Sequence, residues 1–344
     1  MSNYKIIVDD CSVGLSKMKS NSIQSCITSP PYWGLRDYGT ATWKGGSSDC
    51  DHLSGKSDNE NICPKCGAIR EDNQLGLESS PEKYVANMVK VFRAVKRVLK
   101  EDGTLWLNLG DTYCGTGHKG DHRDTKHKEG RNSQVKALNN KIDGLKQKDL
   151  VGIPWRVAFA LQEDGWYLRQ DIIWNKPNPM PESVTDRCTK AHEYIFLMSK
   201  KKNYFCNMET IREPIKHGTT GQASVRESGD SKTRNKKHWG IPHKPKNVIR
   251  EYKEIKGANK RSVWTVNTQP FKGAHFATFP KELITPCVLA GSEKGDTILD
   301  PFCGSGTTGL VALENGRDFL GVELNPEYKK IAEQRIATAQ PYLF

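Results

Sequence analysis

The sequence predicts an α/β fold, a mostly parallel twisted sheet with helices on both of its faces. Three observations carry that expectation. Short apolar runs of strand length alternate with longer segments whose apolar residues recur at three and four. Near the end, a glycine-rich turn follows one strand and opens a helix that leads to another, as in a βαβ unit. A chain of 344 residues is also long enough to bury a large core.

Residues 4–32 read as strand, acidic loop, short helix and second strand, and the second strand runs into TSPPYW. Pro30 has no amide hydrogen to give to a sheet, and Pro31 confines Pro30 to extended backbone. The strand must stop there, and the chain leaves it rigid. Residues 81–100 form the clearest helix: Tyr84, Met88, Val91, Phe92, Val95, Val98 and Leu99 share a face, Pro81 stands in the first turn, and Asp102 and Gly103 are expected to end it. GTLWLNLGD follows as a buried strand. A helix at 151–161 and strands at 167–174 and 193–198 continue the alternation. Last come TILD as a strand, PFCGSGTT as a tight turn, TGLVALENG as a helix closed by Gly316, and RDFLGVEL as a strand ending in an acid.

The net charge of +12 and a pI near 9.1 point to a polyanionic partner. Two segments interrupt the alternation. Residues 115–149, rich in Gly, His, Lys and Asn, read as a surface loop, and His118, His122 and His127 are spaced too loosely there for a metal site. Residues 200–261 contain 17 Lys and Arg against 6 Asp and Glu, an excess of 11 that nearly equals the charge of the whole chain. Trp239, Ile241, Val248, Ile249 and Tyr252 are interleaved with those charges, as on a nucleic-acid-binding surface. No run approaches the roughly 18 apolar residues that span a bilayer, and the opening MSNYKIIVDD lacks a signal-peptide pattern. No membrane association and a cytoplasmic location are expected.

Ten cysteines without a secretory signal fit thiols or metal ligands better than a disulfide framework. Cys50, His52, Cys63 and Cys66 give C-x-H, ten residues, then C-x2-C, followed by Gly67. Four ligands imply a closed, structural zinc site, which would order an insert too polar to order itself by burial. In the glycine turn, Gly304 and Gly306 let the backbone approach a ligand, and Glu323 stands where it can meet ribose hydroxyls. A nucleoside cofactor is expected. The missing third glycine and the absence of a following lysine count against NAD and ATP.

DPFCGSGTT followed by VELN, together with TSPPYW, is similar to the β-group of S-adenosylmethionine-dependent DNA amino-methyltransferases. The order also matches: catalytic tetrapeptide first, basic region in the middle, cofactor loop last. WNKPNPMPESVTDRCTKAHEYIFLMSK and HFATFPKELI resemble further blocks of that family, so the likeness spans about two-thirds of the chain. It implies a circularly permuted class I methyltransferase fold, Rossmann-like, with S-adenosylmethionine as cofactor. The catalytic half is then residues 1–199, with the zinc-knuckle-like insert at 45–72 and the basic loop at 115–149. A basic target-recognition region occupies 200–262 and the cofactor-binding half 263–344.

The resemblance also assigns roles. Cofactor contacts fall on Asp300, Phe302, Gly304, Gly306 and Glu323, with Asp10 near the adenine and Phe279 and Pro280 over the methionine end. Catalysis falls on Ser29, Pro30, Pro31 and Tyr32. An exocyclic amino group is a poor nucleophile because its lone pair is delocalised into the ring. Ser29 Oγ and the Pro30 carbonyl can accept its two N–H bonds and aim the nitrogen at the methyl group. Tyr32 offers a face for stacking a base flipped out of double-stranded DNA. Direct transfer is expected, with no covalent base intermediate and with the proton passing to water. Serine in this motif leans toward cytosine N4. Adenine N6 is the alternative, and a catalytically inactive DNA-binding regulator of the same fold is a further one. A homodimer and a restriction endonuclease partner are left open.

Overall fold

An eight-stranded sheet organises the protein, whose computed structural model describes residues 2–35, 41–52, 62–72, 74–115, 144–214, 257–269 and 279–339. In chain order the elements are β1 (Tyr4–Val8), α1 (Cys11–Ser16), β2 (Ile23–Thr28), β3 (Thr42–Lys44), β4 (Ile69–Glu71), α2 (Pro81–Val98), β5 (Leu99–Leu109), α3 (Ile153–Glu163), β6 (Tyr167–Asn175) and β7 (His192–Ser199). After a single 3-10 turn at Met208–Ile211 come β8 (Val263–Thr265), α4 (Lys281–Gly291), β9 (Thr297–Asp300), α5 (Thr307–Glu314), β10 (Asp318–Glu323) and α6 (Pro326–Ile336). The strand order is β1-β10-β9-β2-β5-β7-β6-β8. Every pairing is parallel except the two made by β7, which runs antiparallel to β5 and to β6. Most of the basic loop, with His118, His122 and His127, and most of the basic region, with Trp239 and Tyr252, lie outside the described residues.

Alternation along the strands builds two cores, one on each face. Leu105, Leu107 and Leu109 of β5 and Phe196 and Met198 of β7 pack under α1, α2 and α3. Trp106, Ile195 and Leu197, one residue out of phase, pack under α4 and α5. Helix α2 buries Tyr84, Met88, Val91, Phe92, Val95 and Val98, each contributing roughly 1.5–3 kcal/mol of apolar burial. Ser80 caps it by accepting from Lys83 N, and Lys96 and Arg97 oppose the dipole at its end.

Helix α2 ends two residues earlier than its apolar pattern suggests. Leu99 is already extended, at φ −64° and ψ 140°, because its fully buried side chain belongs to β5. Ile23 of β2 pairs with Leu99 and Ser25 with Thr104. Residues 100–103, among them Asp102 and Gly103 that were read as the helix stop, therefore bulge out of the strand. A Cβ at Gly103 would lie 3.0 Å from the Lys100 carbonyl. The antiparallel hairpin of β3 and β4 is an addition the sequence pattern did not announce. Among the described residues, no helix is long and apolar enough to cross a membrane.

Candidate active site and metal centre

Because β1, β2, β5, β9 and β10 run parallel, their carboxyl ends meet at one edge of the sheet, where loops can converge on a ligand. Asp10, Ser29, Pro31, Phe279, Asp300, Phe302, Gly304 and Glu323 line one cavity at that edge. Pro30, Tyr32, Pro280 and Gly306 are chain neighbours of those residues and are not part of its wall.

The glycine loop is held from both sides. Gly304, at φ +51°, donates its amide to Glu323 Oε2 at 2.7 Å, and Asn325 donates to Oε1 at 2.9 Å. Burial raises the Glu323 carboxyl above the usual range, and these two amides oppose the shift. Gly306 answers a different constraint: a Cβ there would lie 2.8 Å from the Ala332 Cβ, so glycine lets α6 approach the loop. From α6, Arg335 donates to Ser305 O at 2.9 Å and to Thr307 Oγ1 at 3.1 Å.

Asp300 is turned inward. It is 2% exposed and accepts from Thr28 Oγ1 at 2.6 Å, Thr308 Oγ1 at 2.6 Å and the Phe302 amide at 3.0 Å. Its carboxylate thus ties β9 to β2 and α5 and braces the loop from behind. Burial pushes its pKa from 3.8 up to about 6, against the pull of the two threonines. The fold therefore holds this proton more tightly than the unfolded chain does. The associated stability is fully present below 3.8 and is lost as pH rises through about 6, a change of about 3 kcal/mol at 1.36 kcal/mol per unit. Asp300→Asn keeps an acceptor for Thr28 and Phe302 and turns an amide toward Thr308. It should flatten the pH dependence of urea denaturation between pH 4 and 6 and leave the protein at least as stable at pH 8. A variant with the slope of the native protein would exclude this account.

Asp10 caps α1, its carboxylate accepting from Ser12 N at 2.8 Å and Val13 N at 3.4 Å. Phe279 is buried in the cavity wall, and Pro280 immediately precedes α4. Beside them the TSPPYW turn is clamped. Tyr84 Oη donates to Pro31 O at 2.9 Å, and Trp33 Nε1 donates to Glu78 O at 2.9 Å. Ser29 Oγ donates to Tyr32 Oη at 3.2 Å. Tyr32 Oη in turn reaches Glu193 Oε2 at 2.8 Å and Asn108 Oδ1 at 3.0 Å, and Lys176 pairs with Glu193. The Tyr32 ring lies so close over Gly110 that a Cβ there would fall 2.5 Å from it. Burial, then the Glu193 charge, raises the Tyr32 hydroxyl well above its usual pKa. The Tyr32 hydroxyl is thus fixed to the sheet.

Asn108, Glu193, Lys176 and the cavity residues Gln74 and Leu75 were not anticipated. Asn108 carried a usable signal, a polar residue inside the apolar run LWLNL of a buried strand.

On the β3–β4 hairpin, the ligand atoms of Cys50, His52, Cys63 and Cys66 all lie within 4.8 Å of one another. Cys50 and Cys63 sulfurs are 3.8 Å apart, and Cys66 Sγ is 3.3 Å from His52 Nδ1. A tetrahedron with metal–sulfur bonds of ~2.3 Å has edges of about 3.8 Å, so the donor set fits a zinc ion. The Ala68 amide stabilises the Cys66 thiolate and lowers its pKa. Trp43 stacks on His52 with centroids 5.1 Å apart.

A family model described as DNA methylase, of the N6/N4 type, matches residues 23–334. Type II methyltransferase M.Cfr9I of Citrobacter freundii is 42% identical over 322 residues, which cover 94% of this chain and 84% of the relative. Type II methyltransferase M.SmaI of Serratia marcescens is 43% identical over 332 residues, covering 96% and 90%. Among solved structures, the cytosine-N4-specific PvuII DNA methyltransferase has a TM-score of 0.58 at 17% identity, over 97% of this chain and 86% of its own. A putative DNA modification methylase of Thermus thermophilus, solved with S-adenosyl-L-methionine, has a TM-score of 0.53 at 20% identity, over 99% and 97%. These structural likenesses bear on the fold.

Proposed function

The chain belongs to the N6/N4 DNA methylase family, and from that premise we propose that it methylates the N4 amino group of a flipped cytosine in DNA. It is a DNA amino-methyltransferase that uses S-adenosylmethionine. The observation that carries the reading of the site is that Ser29 shares one cavity with Glu323 and Gly304. That cavity suits the cofactor: Phe279 and Phe302 supply apolar wall, and Glu323 supplies a buried acid at the end of β10.

When bound, the cofactor supplies a methyl group activated on a sulfonium. Glu323 holds the ribose hydroxyls, Asp10 stands toward the adenine, and Gly304, Phe302 and Phe279 close around the rest. Asp300 and Gly306 set the shape of the loop. Ser29 Oγ and the Pro30 carbonyl accept from the target amino group, which localises the nitrogen lone pair and aims it. Tyr84, holding Pro31, keeps that turn from yielding.

A hydroxyl and a carbonyl accept equally well from the adenine amino group, so adenine N6 stays as the second reading. The basic region at 200–262 contacts the DNA duplex, and the Cys50, His52, Cys63 and Cys66 cluster holds a structural zinc. We place the protein in the cytoplasm and leave a second copy or a restriction endonuclease as partners to be sought. The test is mass spectrometry of nucleosides from DNA treated with protein and cofactor. N4-methylcytosine is expected. N6-methyladenine would move the target to adenine, and no methylated nucleoside would favour the inactive regulator.

A further inference from the structure

The hydroxyls beside the cavity form a chain with a direction. Ser29 Oγ, in the wall, donates to Tyr32 Oη at 3.2 Å, and Tyr32 Oη donates to Glu193 Oε2 at 2.8 Å. The chain ends on a carboxylate whose other oxygen is paired with Lys176. We propose that this chain is a proton route and that Glu193 receives the proton released by the base nitrogen on methylation. The inference rests on the reading above, in which Ser29 accepts a hydrogen bond from the target amino group.

An exocyclic amino nitrogen gains positive charge as it bonds to a methyl group, and losing a proton in the same step relieves that charge. As that N–H bond breaks, its electron pair stays on nitrogen and its proton bonds to Ser29 Oγ. The Ser29 proton passes to Tyr32 Oη, and the Tyr32 proton passes to Glu193 Oε2. The base and Glu193 both end neutral, and Ser29 and Tyr32 end as they began. Such a nitrogen is a weak base, so its protonated form is a strong acid and a carboxylate is a sufficient acceptor. Burial makes a free Tyr32 phenolate costly, which favours concerted movement along the chain.

The neighbours fit this role. Asn108 also accepts from Tyr32 Oη, at 3.0 Å, but a neutral amide cannot take the proton. Its Nδ2 donates to Glu193 Oε2 at 3.2 Å and to Tyr194 O at 3.0 Å, which fixes the acceptor in place. Lys176 pairs with the other carboxylate oxygen of Glu193. The Lys176 and Glu193 side chains are 17% and 15% exposed, so the proton has a way out to solvent before the next turnover.

The test uses the full chain with S-adenosylmethionine and genomic DNA lacking the modification, under single-turnover conditions. Glu193→Gln keeps the shape and cannot take a proton. Tyr32→Phe keeps the ring and the ion pair between Lys176 and Glu193, and breaks the route. Each should slow methyl transfer about tenfold or more, with cofactor and DNA affinity unchanged in calorimetry. The double variant should be no slower than the slower single one, because both changes interrupt one chain. Difference infrared spectra of native protein before and after turnover should gain a protonated-carboxyl band that Glu193→Gln lacks. Full-rate transfer by either variant, additive losses, or the band persisting in Glu193→Gln would overturn the route. If Ser29→Ala itself were harmless, the underlying reading of the site would fail instead.

Discussion

Ser29→Ala should lower methyl transfer by about 10²- to 10³-fold, the loss seen when one preorganised hydrogen-bond partner is removed from a reacting centre, or about 2.7–4 kcal/mol. The physical reason is local. Ser29 leaves β2 at a point where Pro30 and Pro31 allow little freedom, and Tyr84 pins the Pro31 carbonyl at 2.9 Å. No neighbouring hydroxyl can move in to replace the one removed, because Tyr32 Oη is already engaged with Asn108 and Glu193. Cofactor affinity should hardly change, since the acid and the glycine loop sit on β9, β10 and their connection. Turnover with labelled cofactor at saturation, beside calorimetric titration of the cofactor, separates the two quantities. Lost cofactor binding with intact turnover would remove Ser29 from the base side of the cavity.

Replacing Cys63 and Cys66 with Ser should produce the second large effect. Structural zinc in small modules carries apparent binding free energies of roughly 10–16 kcal/mol, and the short β3–β4 ladder has no comparable source of stability. Hydrogen exchange should show the hairpin unprotected in the variant while the eight-stranded sheet stays protected. The damage should also reach the cavity. The chain after β4 supplies Gln74 and Leu75 to its wall, and Gly76 accepts from the Gly34 amide at 2.8 Å. Cofactor affinity should therefore fall although no cofactor residue was changed. Elemental analysis of native protein prepared without chelator should find one zinc per chain, and finding none would defeat the proposal.

Most of the sheet was legible because its strands are apolar runs and its helices have one apolar face. The βαβ unit at the end was read correctly from the glycines and the terminal acid of β10. What escaped was tertiary in origin. Leu99 looks helical by spacing, and only the register of β5 against β2 reveals that burial in the sheet takes it. Asp300 lines the cavity, and its link to Thr28, 272 positions away, has no local sequence signal. The anchoring of the Tyr32 hydroxyl by Asn108 and Glu193 likewise depends on strands far along the chain. The metal cluster was readable because three cysteines and a histidine at short spacing need little tertiary information.

The pairing of the first strand with the last bears on how the protein is made. Asn3 N meets Asp318 Oδ1 at 2.7 Å, and Tyr4 pairs with Phe319, so Asp10 and Glu323, far apart in sequence, reach one cavity. Translated at about 5–20 residues per second, the ribosome emits the second of these acids roughly 15–60 s after the first. Throughout that interval β1 has no neighbour in the sheet, and the nascent chain has an incomplete pocket. Prematurely terminated polypeptides would lack Glu323 altogether. Catalytic competence is thereby made conditional on synthesis past Glu323, and fragments that stop before it should be inert toward DNA.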